Sequence, residues 1–395
     1  MIDFPNNIQN IFDKLIENGI KPIVVGGYIR DFLLKKDSKD IDVELYNLSS
    51  LEQLEQILQN FGTLKSVGKS FGVLKLASKD YEIDFSLPRN DSKIAQGHKG
   101  FLITIDTSLN FTQAARRRDF TINAIGFDTT SKKLLDPYNG VDDIKNKILR
   151  CVDATTFVED PLRFMRAIGF ATRFEFTIEK ELFSLLESMI NANLLEELPQ
   201  ERIFTELEKI LLKAKKPSYA FFLMQQLHLQ TYLPHKDSLR ALDLLSPKNL
   251  TLSFAILAYK QKYKEKFLSL FTHKKSAIKT ASLLAQHLED FSFDNLSNYQ
   301  LYKIAIDVKL EQFFSLLYAF FPQKKYKIQH LSAKAKELSI LHHPLKPIIQ
   351  GKDLLLLGMK PSQHFSKILK HIYELQMMEK ITTKEDALKE AKRYL

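Results

Sequence analysis

The sequence predicts an α+β protein: a small mixed-sheet head followed by a long all-α remainder. Three observations carry this reading. Short β-branched and apolar runs, bounded by turn residues, recur through residues 1–143. After about residue 144 they stop, leaving helical patterns rich in Leu, Phe, Ile and Lys with few glycines. Charge divides along the same line: residues 201–395 hold 32 basic and 18 acidic side chains, which leaves 25 and 29 for residues 1–200. An acidic head suits chemistry with bound cations, and a basic remainder suits a polyanionic partner. Lysine groups such as Lys213, Lys215 and Lys216, or Lys324, Lys325 and Lys327, also fit solvated helix faces taken one at a time.

The head's elements follow in order. Ile8, Ile11, Phe12, Leu15 and Ile16 share one helical face, and Gly19 ends that helix. Ile23-Val24-Val25 reads as a buried strand running into Gly26-Gly27, with a helix over about 28–34 after it. A strand over 41–45 and a helix over 51–59, capped by Ser49-Ser50, come next. Three strand-like pieces follow at 63–67, 73–76 and 81–85. The stretch 88–109 is polar and irregular, long enough for a functional loop, and strand signals return at 124–127 and 134–135. The helical remainder divides into a neck (144–212), a body (213–340) and a tail (341–395).

Composition excludes several classes. The 395 residues are 45% hydrophobic and 26% charged, with 13 Gly and 13 Pro, which excludes a disordered or collagen-like chain. The single cysteine, Cys151, can form neither an internal disulfide nor a Cys-based zinc site and suits a reducing cytosol. The first residues lack a signal-peptide pattern, and no apolar stretch approaches the roughly 20 residues of a membrane helix. The expectation is a soluble, cytoplasmic protein with no membrane and no protein partner in evidence.

Four segments carry chemistry. Asp40 and Asp42, two apart on a strand, point to one face with Cα atoms about 6–7 Å apart. They can share divalent metal ions while Ile41 faces the core, and Asp84 repeats the alternation on another strand. Hard oxygen ligands of this kind suit Mg²⁺ bound with phosphates; two acidic residues at a strand edge also fit plain solvation. Gly26-Gly27, between a strand and a helix, lets backbone N–H groups approach phosphate oxygens, or simply makes a tight turn. Arg116-Arg117-Arg118-Asp119 with Asn123 offers guanidinium groups for phosphate and polar groups for sugar hydroxyls, or a surface salt-bridge cluster. Asp160 and Arg163, three apart on a helix opened by Pro161, can meet the edge of a nucleobase, or pair with each other.

Together these segments resemble the class II tRNA nucleotidyltransferases (CCA-adding enzymes) of the tRNA nucleotidyltransferase/poly(A) polymerase family. In order, the matching motifs are Gly26-Gly27-Tyr28-Ile29-Arg30-Asp31, Asp40-Ile41-Asp42, Pro88-Arg89 and Gly97-His98-Lys99-Gly100-Phe101. Then come Arg117-Arg118-Asp119-Phe120-Thr121-Ile122-Asn123-Ala124, Asp136-Pro137-Tyr138-Asn139-Gly140, Glu159-Asp160-Pro161-Leu162-Arg163 and Glu201-Arg202-Ile203-Phe204. Residues 349–354 and 381–388 look like the family's tail, whereas 215–340 is generic.

The resemblance implies a nucleotidyltransferase head and template-independent addition of C, C and A to the tRNA 3′ end from CTP and ATP. It implies two Mg²⁺ ions on Asp40 and Asp42, with Asp84 in support, and triphosphate contacts from Gly26, Gly27 and Arg30. Arg117, Arg118, Asp119 and Asn123 would bind phosphate and ribose, and Asp160 and Arg163 would pair with the incoming base. Residues 86–110 would be the loop that helps switch from C to A, and the basic helices would grip the tRNA acceptor arm.

The chain also departs from the pattern. Residues 252–260 carry no His-Asp dipeptide where many relatives have a hydrolase domain, so no second activity is expected. His342-His343 reads as isolated from acidic ligands and structural. Gln113-Ala114-Ala115-Arg116 stands where acidic residues are common, which bears on the loop hinge and the final A. A CC-adding enzyme, an A-adding enzyme or a poly(A) polymerase would share the head motifs. A non-catalytic RNA-binding module would be expected to lose the metal-ligand residues, and all are present.

Overall fold

The fold is that of a computed structural model, which describes residues 2–48, 50–66, 73–77, 81–93, 101–294, 296–360 and 363–394. The chain forms two compact units, Met1–Leu207 and Glu208–Leu395. The first begins α1 (Asn6–Glu17), β1 (Lys21–Val25), α2 (Gly27–Leu33), β2 (Asp40–Tyr46) and α3 (Leu51–Leu58). It continues β3 (Thr63–Ser66), β4 (Val73–Ala77), β5 (Glu82–Ser86), β6 (Arg89–Lys93), β7 (Phe101–Ile105) and α4 (Phe111–Ala115). After β8 (Gly126–Asp128) and β9 (Lys133–Leu135) come α5 (Gly140–Asn146), β10 (Ile148–Leu149), α6 (Ala154–Phe157), α7 (Leu162–Phe174) and β11 (Thr177–Ile178).

Seven strands make one mixed sheet in the order β3-β4-β5-β2-β1-β8-β9. All its neighbours are antiparallel except β2 and β5. Residues directly opposite one another share a face, so the register sorts the side chains. Val24, Val43, Phe127, Ile83 and Leu74 fall on one face and are buried. Phe4 joins Phe127 of this face to Phe12 of α1, ring to ring. The other face carries Ile23, Val25 and Tyr46 beneath Phe111, Ala115 and Ala124. On the same face, Asp40, Asp42 and Glu44 of β2 lie beside Glu82 and Asp84 of β5. The acidic residues therefore occupy the face roofed by α4 and the segment that follows it.

Three sequence expectations change. The stretch 88–109 is not wholly irregular: β6 and β7 pair antiparallel, Arg89 opposite Ile105. Only β7 has the apolar, β-branched composition that signals a strand, and the polar β6 hides its partner. Residues 97–100 of the motif ending at Phe101, Ser49 of the cap and Val67 of the third strand lie outside the described residues. Strands do not stop at 144, since β10 and β11 pair in parallel, two residues each and too short to show alternation. In the second unit, His342 Nδ1 lies 3.1 Å from Glu311 Oε2, so His342 does have an acidic neighbour.

The second unit is helical throughout its described residues. The helix Leu250–Ala258 is buried from Leu252 to Ala258, which explains its unbroken apolar run. Near the C-terminus, Ile349, Leu354, Ile368, Ile372, Ile381, Ala387 and Ala391 form a small core of their own. No helix among the described residues is long and apolar enough to cross a membrane.

The segment 136–140 is a brace for the head. Asp136 accepts hydrogen bonds from the N–H groups of Gly140 (2.7 Å) and Val141 (2.9 Å) and so opens α5. Asp143 of α5 accepts from the Thr121 hydroxyl at 2.7 Å. Gly140 packs against the Thr121 backbone so closely that a Cβ would lie 2.7 Å from its carbonyl carbon and 2.9 Å from Ile125 Cγ1. Gly140→Ala should therefore cost about 1–3 kcal/mol, as overpacking does, read by urea unfolding. An unchanged midpoint would show that α5 does not brace this segment.

Candidate active site

The site is assembled from four separate stretches of the first unit. β1 ends at Val25, opposite Asp42 of β2, and the chain turns at Gly26 with φ of 72°. A Cβ on Gly26 would stand 3.0 Å from Arg118 Nη1 and 3.4 Å from Asp42 Oδ2. Glycine here allows both the left-handed backbone and the approach of the two charged groups. Asp40 opens β2, an interior strand, and Asp42 follows on the same sheet face; both side chains reach solvent, while the protein around the cleft still crowds the Asp42 carboxylate. Asp84 is Asp42's cross-strand partner, and it accepts a 2.7 Å hydrogen bond from Lys75 of β4.

The 116–123 segment contributes next. α4 starts with a capping box in which Asn110 and Gln113 each bond the other's backbone N–H. Gln113, unusual against the resembling family, thus has a local structural role. The segment then turns inward around Phe120, which is fully buried. Arg116 points away and pairs with Asp153 at 2.8 Å, as a surface salt bridge. Arg117 donates to buried Glu44 at 3.2 Å. Asp119 accepts from the Phe120 N–H and from Asn123 Nδ2, both at 2.9 Å, and from Arg166 Nε at 2.7 Å. Asn123 Oδ1 in turn accepts from Arg30 Nη1 at 2.7 Å.

The last stretch is the start of α7. Asp160 accepts from the Leu162 N–H at 3.0 Å, which leaves its second oxygen for other work. Arg163 donates to the carbonyls of Thr156 (2.9 Å) and Arg117 (2.6 Å), so its plane is fixed by the backbone of two elements.

These groups line one cleft of about 440 Å³, bordered by Gly26, Gly27, Arg30, Asp42, Arg117, Arg118, Asp119, Asn123, Asp160 and Arg163. Asp40 and Asp84 lie on the same sheet face as Asp42 but do not border it. Sequence reasoning missed three lining residues: Arg166, Phe170 and Arg173. Their spacing from Arg163 is the signal that could have found them, because i, i+3, i+7 and i+10 fall on one helical face. Phe170 is their organising ring, with the guanidinium carbons of Arg30 and Arg166 each 5.1 Å from its centroid and that of Arg173 at 5.7 Å. Six guanidinium groups face three carboxylates across the cleft, a balance suited to a polyanion.

Residues 23–150 match the family model of the poly(A) polymerase head domain. Residues 175–239 match one described as "Probable RNA and SrmB- binding site of polymerase A". The multifunctional CCA proteins of Xylella fastidiosa (strain 9a5c) and Xanthomonas axonopodis pv. citri (strain 306) are each 34% identical over 223 residues. That is 56% of this chain and 51% and 52% of those proteins. Two stretches of the chain are thus similar to the head and RNA-binding regions of the tRNA nucleotidyltransferase/poly(A) polymerase family.

The chain spans about half the length of the curated family relatives it matches. Among solved structures of the family, it resembles the Bacillus stearothermophilus CCA-adding enzyme in complex with CTP, with a TM-score of 0.77, 21% identity and 99% and 98% of the two chains covered. It also resembles the Thermotoga maritima CCA-adding enzyme complexed with tRNA, with a TM-score of 0.66, 20% identity and 98% and 95% coverage. At these identities the likeness establishes the fold.

The family generally uses divalent metal ions, and the residues here fit one. Among the described residues, no three His, Cys, Asp or Glu side chains come together as a metal-binding group. Asp40 and Asp42 offer two hard carboxylates on one solvent-reached sheet face beside the guanidinium-lined cleft. Mg²⁺ characteristically takes one or two carboxylates and completes its shell with water and substrate phosphates.

Electrostatics separate the groups. The walls of the cleft desolvate Asp42, and Asp84 and Asp40 repel it, which together outweigh Arg118 and raise its carboxyl above the usual range. Burial alone would raise Asp119, but Arg166 and the Asn123 amide over-compensate and hold it below that range. Burial and the neighbouring Arg117 lower Arg118, and burial and Arg30 lower Arg173. A raised carboxyl binds its proton more tightly in the folded state than in the unfolded one. Ionising Asp42 therefore costs stability as pH rises through its raised value, and the cost is absent in acid. In metal-free buffer Asp42→Asn should unfold at a higher temperature than the parent at neutral pH, with the gap closing below about pH 4. Asp119→Asn should lose stability at neutral pH. Equal melting of Asp42→Asn and parent across this range would contradict the assignment.

Proposed function

We propose that the chain is a tRNA nucleotidyltransferase that adds C, C and A to the tRNA 3′ end from CTP and ATP, releasing pyrophosphate. The observation that carries this reading is the convergence of Gly26-Gly27, Asp42, the 117–123 segment and Asp160 with Arg163 on one guanidinium-lined cleft. The relatives' printed names, and the CTP, ATP and tRNA complexes among the similar structures, support the substrates. Mg²⁺, bound by Asp40 and Asp42, would lower the pKa of the primer's 3′-hydroxyl and neutralise the triphosphate and departing pyrophosphate.

This chain's own residues do the rest. Gly26 and Gly27 let the backbone approach the triphosphate, and Arg30 and Arg118 clamp it. Arg117, Asp119 and Asn123 border the phosphate and ribose, and the last two also hold Arg30 and Arg166 in place. Asp160 and Arg163 present an acceptor and a donor to the base edge, oriented by the Thr156 and Arg117 carbonyls. Asp84 stands opposite Asp42 on β5 and adds negative charge to this face. The lysine-rich helices of residues 201–395 would hold the acceptor arm through its phosphates, and such work belongs in the cytoplasm.

The test is extension of tRNA transcripts ending before, within and just short of CCA, with Mg²⁺, CTP and ATP, resolved at single-nucleotide length. Extension that halts at CCA is expected. Halting at CC, extending only tRNA ending in CC, or running into long A tails would replace the proposal with a CC-adding enzyme, an A-adding enzyme or a poly(A) polymerase. Asp42→Ala should abolish incorporation with tRNA binding nearly intact. Arg163→Ala should blur the CTP/ATP choice more than it weakens triphosphate binding, and retained activity or retained selectivity would sink the respective role.

A further inference from the structure

Lys75, Asp84 and Asp42 stand in one cross-strand row. β4 pairs with β5 so that Lys75 is opposite Asp84, and β5 pairs with β2 so that Asp84 is opposite Asp42. Lys75 Nζ lies 2.7 Å from Asp84 Oδ2, a charge-assisted hydrogen bond. Both side chains are partly open, 41% and 31% exposed, so Asp84 is paired with lysine although solvent can reach it. We propose that Lys75 is a built-in cation that withholds Asp84 from metal coordination, so that the divalent ion is held by Asp40 and Asp42 and arrives on the nucleotide's phosphates. This deepens the metal reading made above and rests on it.

The register is what makes the pairing hold. Ladder bonds on both sides of β5 keep Lys75 and Asp42 on opposite flanks of Asp84, each one strand spacing of about 4.8 Å away. A divalent ion bridging Asp42 and Asp84 would sit beside the Lys75 ammonium, and like charges so close disfavour it. With Asp84 withheld, β2 keeps two carboxylates on this face, too few to hold Mg²⁺ tightly without oxygens from a ligand. Lys75 also draws on Asp42, because its ammonium is raised chiefly by the bond to Asp84 and further by the charges of Asp84, Glu82 and Asp42.

Mn²⁺ binding to the full chain, followed by electron paramagnetic resonance with and without CTP, tests this without catalysis. The parent should bind Mn²⁺ weakly alone and more tightly with CTP. Lys75→Met, which keeps the aliphatic stem, should tighten nucleotide-free binding by about fivefold or more, because affinity follows ligand charge; Lys75→Gln serves as the second variant. Asp84→Asn should leave parental binding within about twofold and should erase the gain when added to Lys75→Met. Three results would overturn the proposal: Asp84→Asn weakening binding as much as Asp42→Asn, unchanged binding in both lysine variants, or a gain that survives loss of Asp84. If Asp42→Asn itself leaves Mn²⁺ binding unchanged, the metal reading of β2 fails, and the withholding role fails with it.

Discussion

The head depends on the buried carboxylate of Asp119. An ionised carboxylate away from water is tolerated only when its lone pairs are met, and leaving one unpaired costs several kcal/mol. Here they are met by the Phe120 N–H, the Asn123 amide and the Arg166 guanidinium, which come from a turn, a 3₁₀ segment and α7. Through Asn123 the same network reaches Arg30 on α2. The carboxylate is satisfied only when all these elements are in place together. One charge therefore sets where the glycine turn, the arginine segment and α7 stand relative to one another.

The supports around this hub are ordinary packing arguments. Phe120 fills the space beneath the segment and stacks edge-on against Phe157 and Phe170. Phe170 then presents its faces to Arg30, Arg166 and Arg173, so an apolar ring that belongs to the core also orders the cations of the cleft. Gly140 lets α5 lie against Thr121, and Asp143 bonds the Thr121 hydroxyl. Arg163 is aimed by two backbone carbonyls rather than by a side chain, so its orientation follows from where the chain runs at residues 117 and 156.

Much of this was legible in the sequence, for identifiable reasons. β1 and β2 could be read because Ile23-Val24-Val25 is continuously apolar and Asp40-Ile41-Asp42-Val43 alternates, both strong local signals. The ordered motifs pointed to residues that now border one cleft although they lie more than a hundred positions apart. β6 was not legible, because Arg-Asn-Asp-Ser-Lys has no strand preference and forms only against β7. Arg173 and Phe170 were missed because aromatic and basic residues along an amphipathic helix read as core and solvated face until tertiary packing turns that face toward the cleft. Glu44 reads as a surface charge, yet it is fully buried, paired to Arg117 and to the Tyr46 hydroxyl. No local pattern announces a partner 73 residues away.

Charges in and around the cleft are displaced in two directions. Asp119 and Arg166 are each shifted toward their ionised forms by the other, and Asp153 likewise by the Thr156 N–H and Arg116, so folding alone satisfies them. Asp42, Arg118 and Arg173 are shifted the opposite way, by burial and by neighbours of like charge, and all three line the cleft. Folding thus leaves a carboxylate short of positive charge beside guanidinium groups short of negative charge. A polyphosphate carrying its own cation would relieve both at once: the cation meets Asp42 and the phosphates meet the arginines. Neither a bare anion nor a bare cation could do so. The unfavourable charges are consistent with a site whose stability is completed by its ligand.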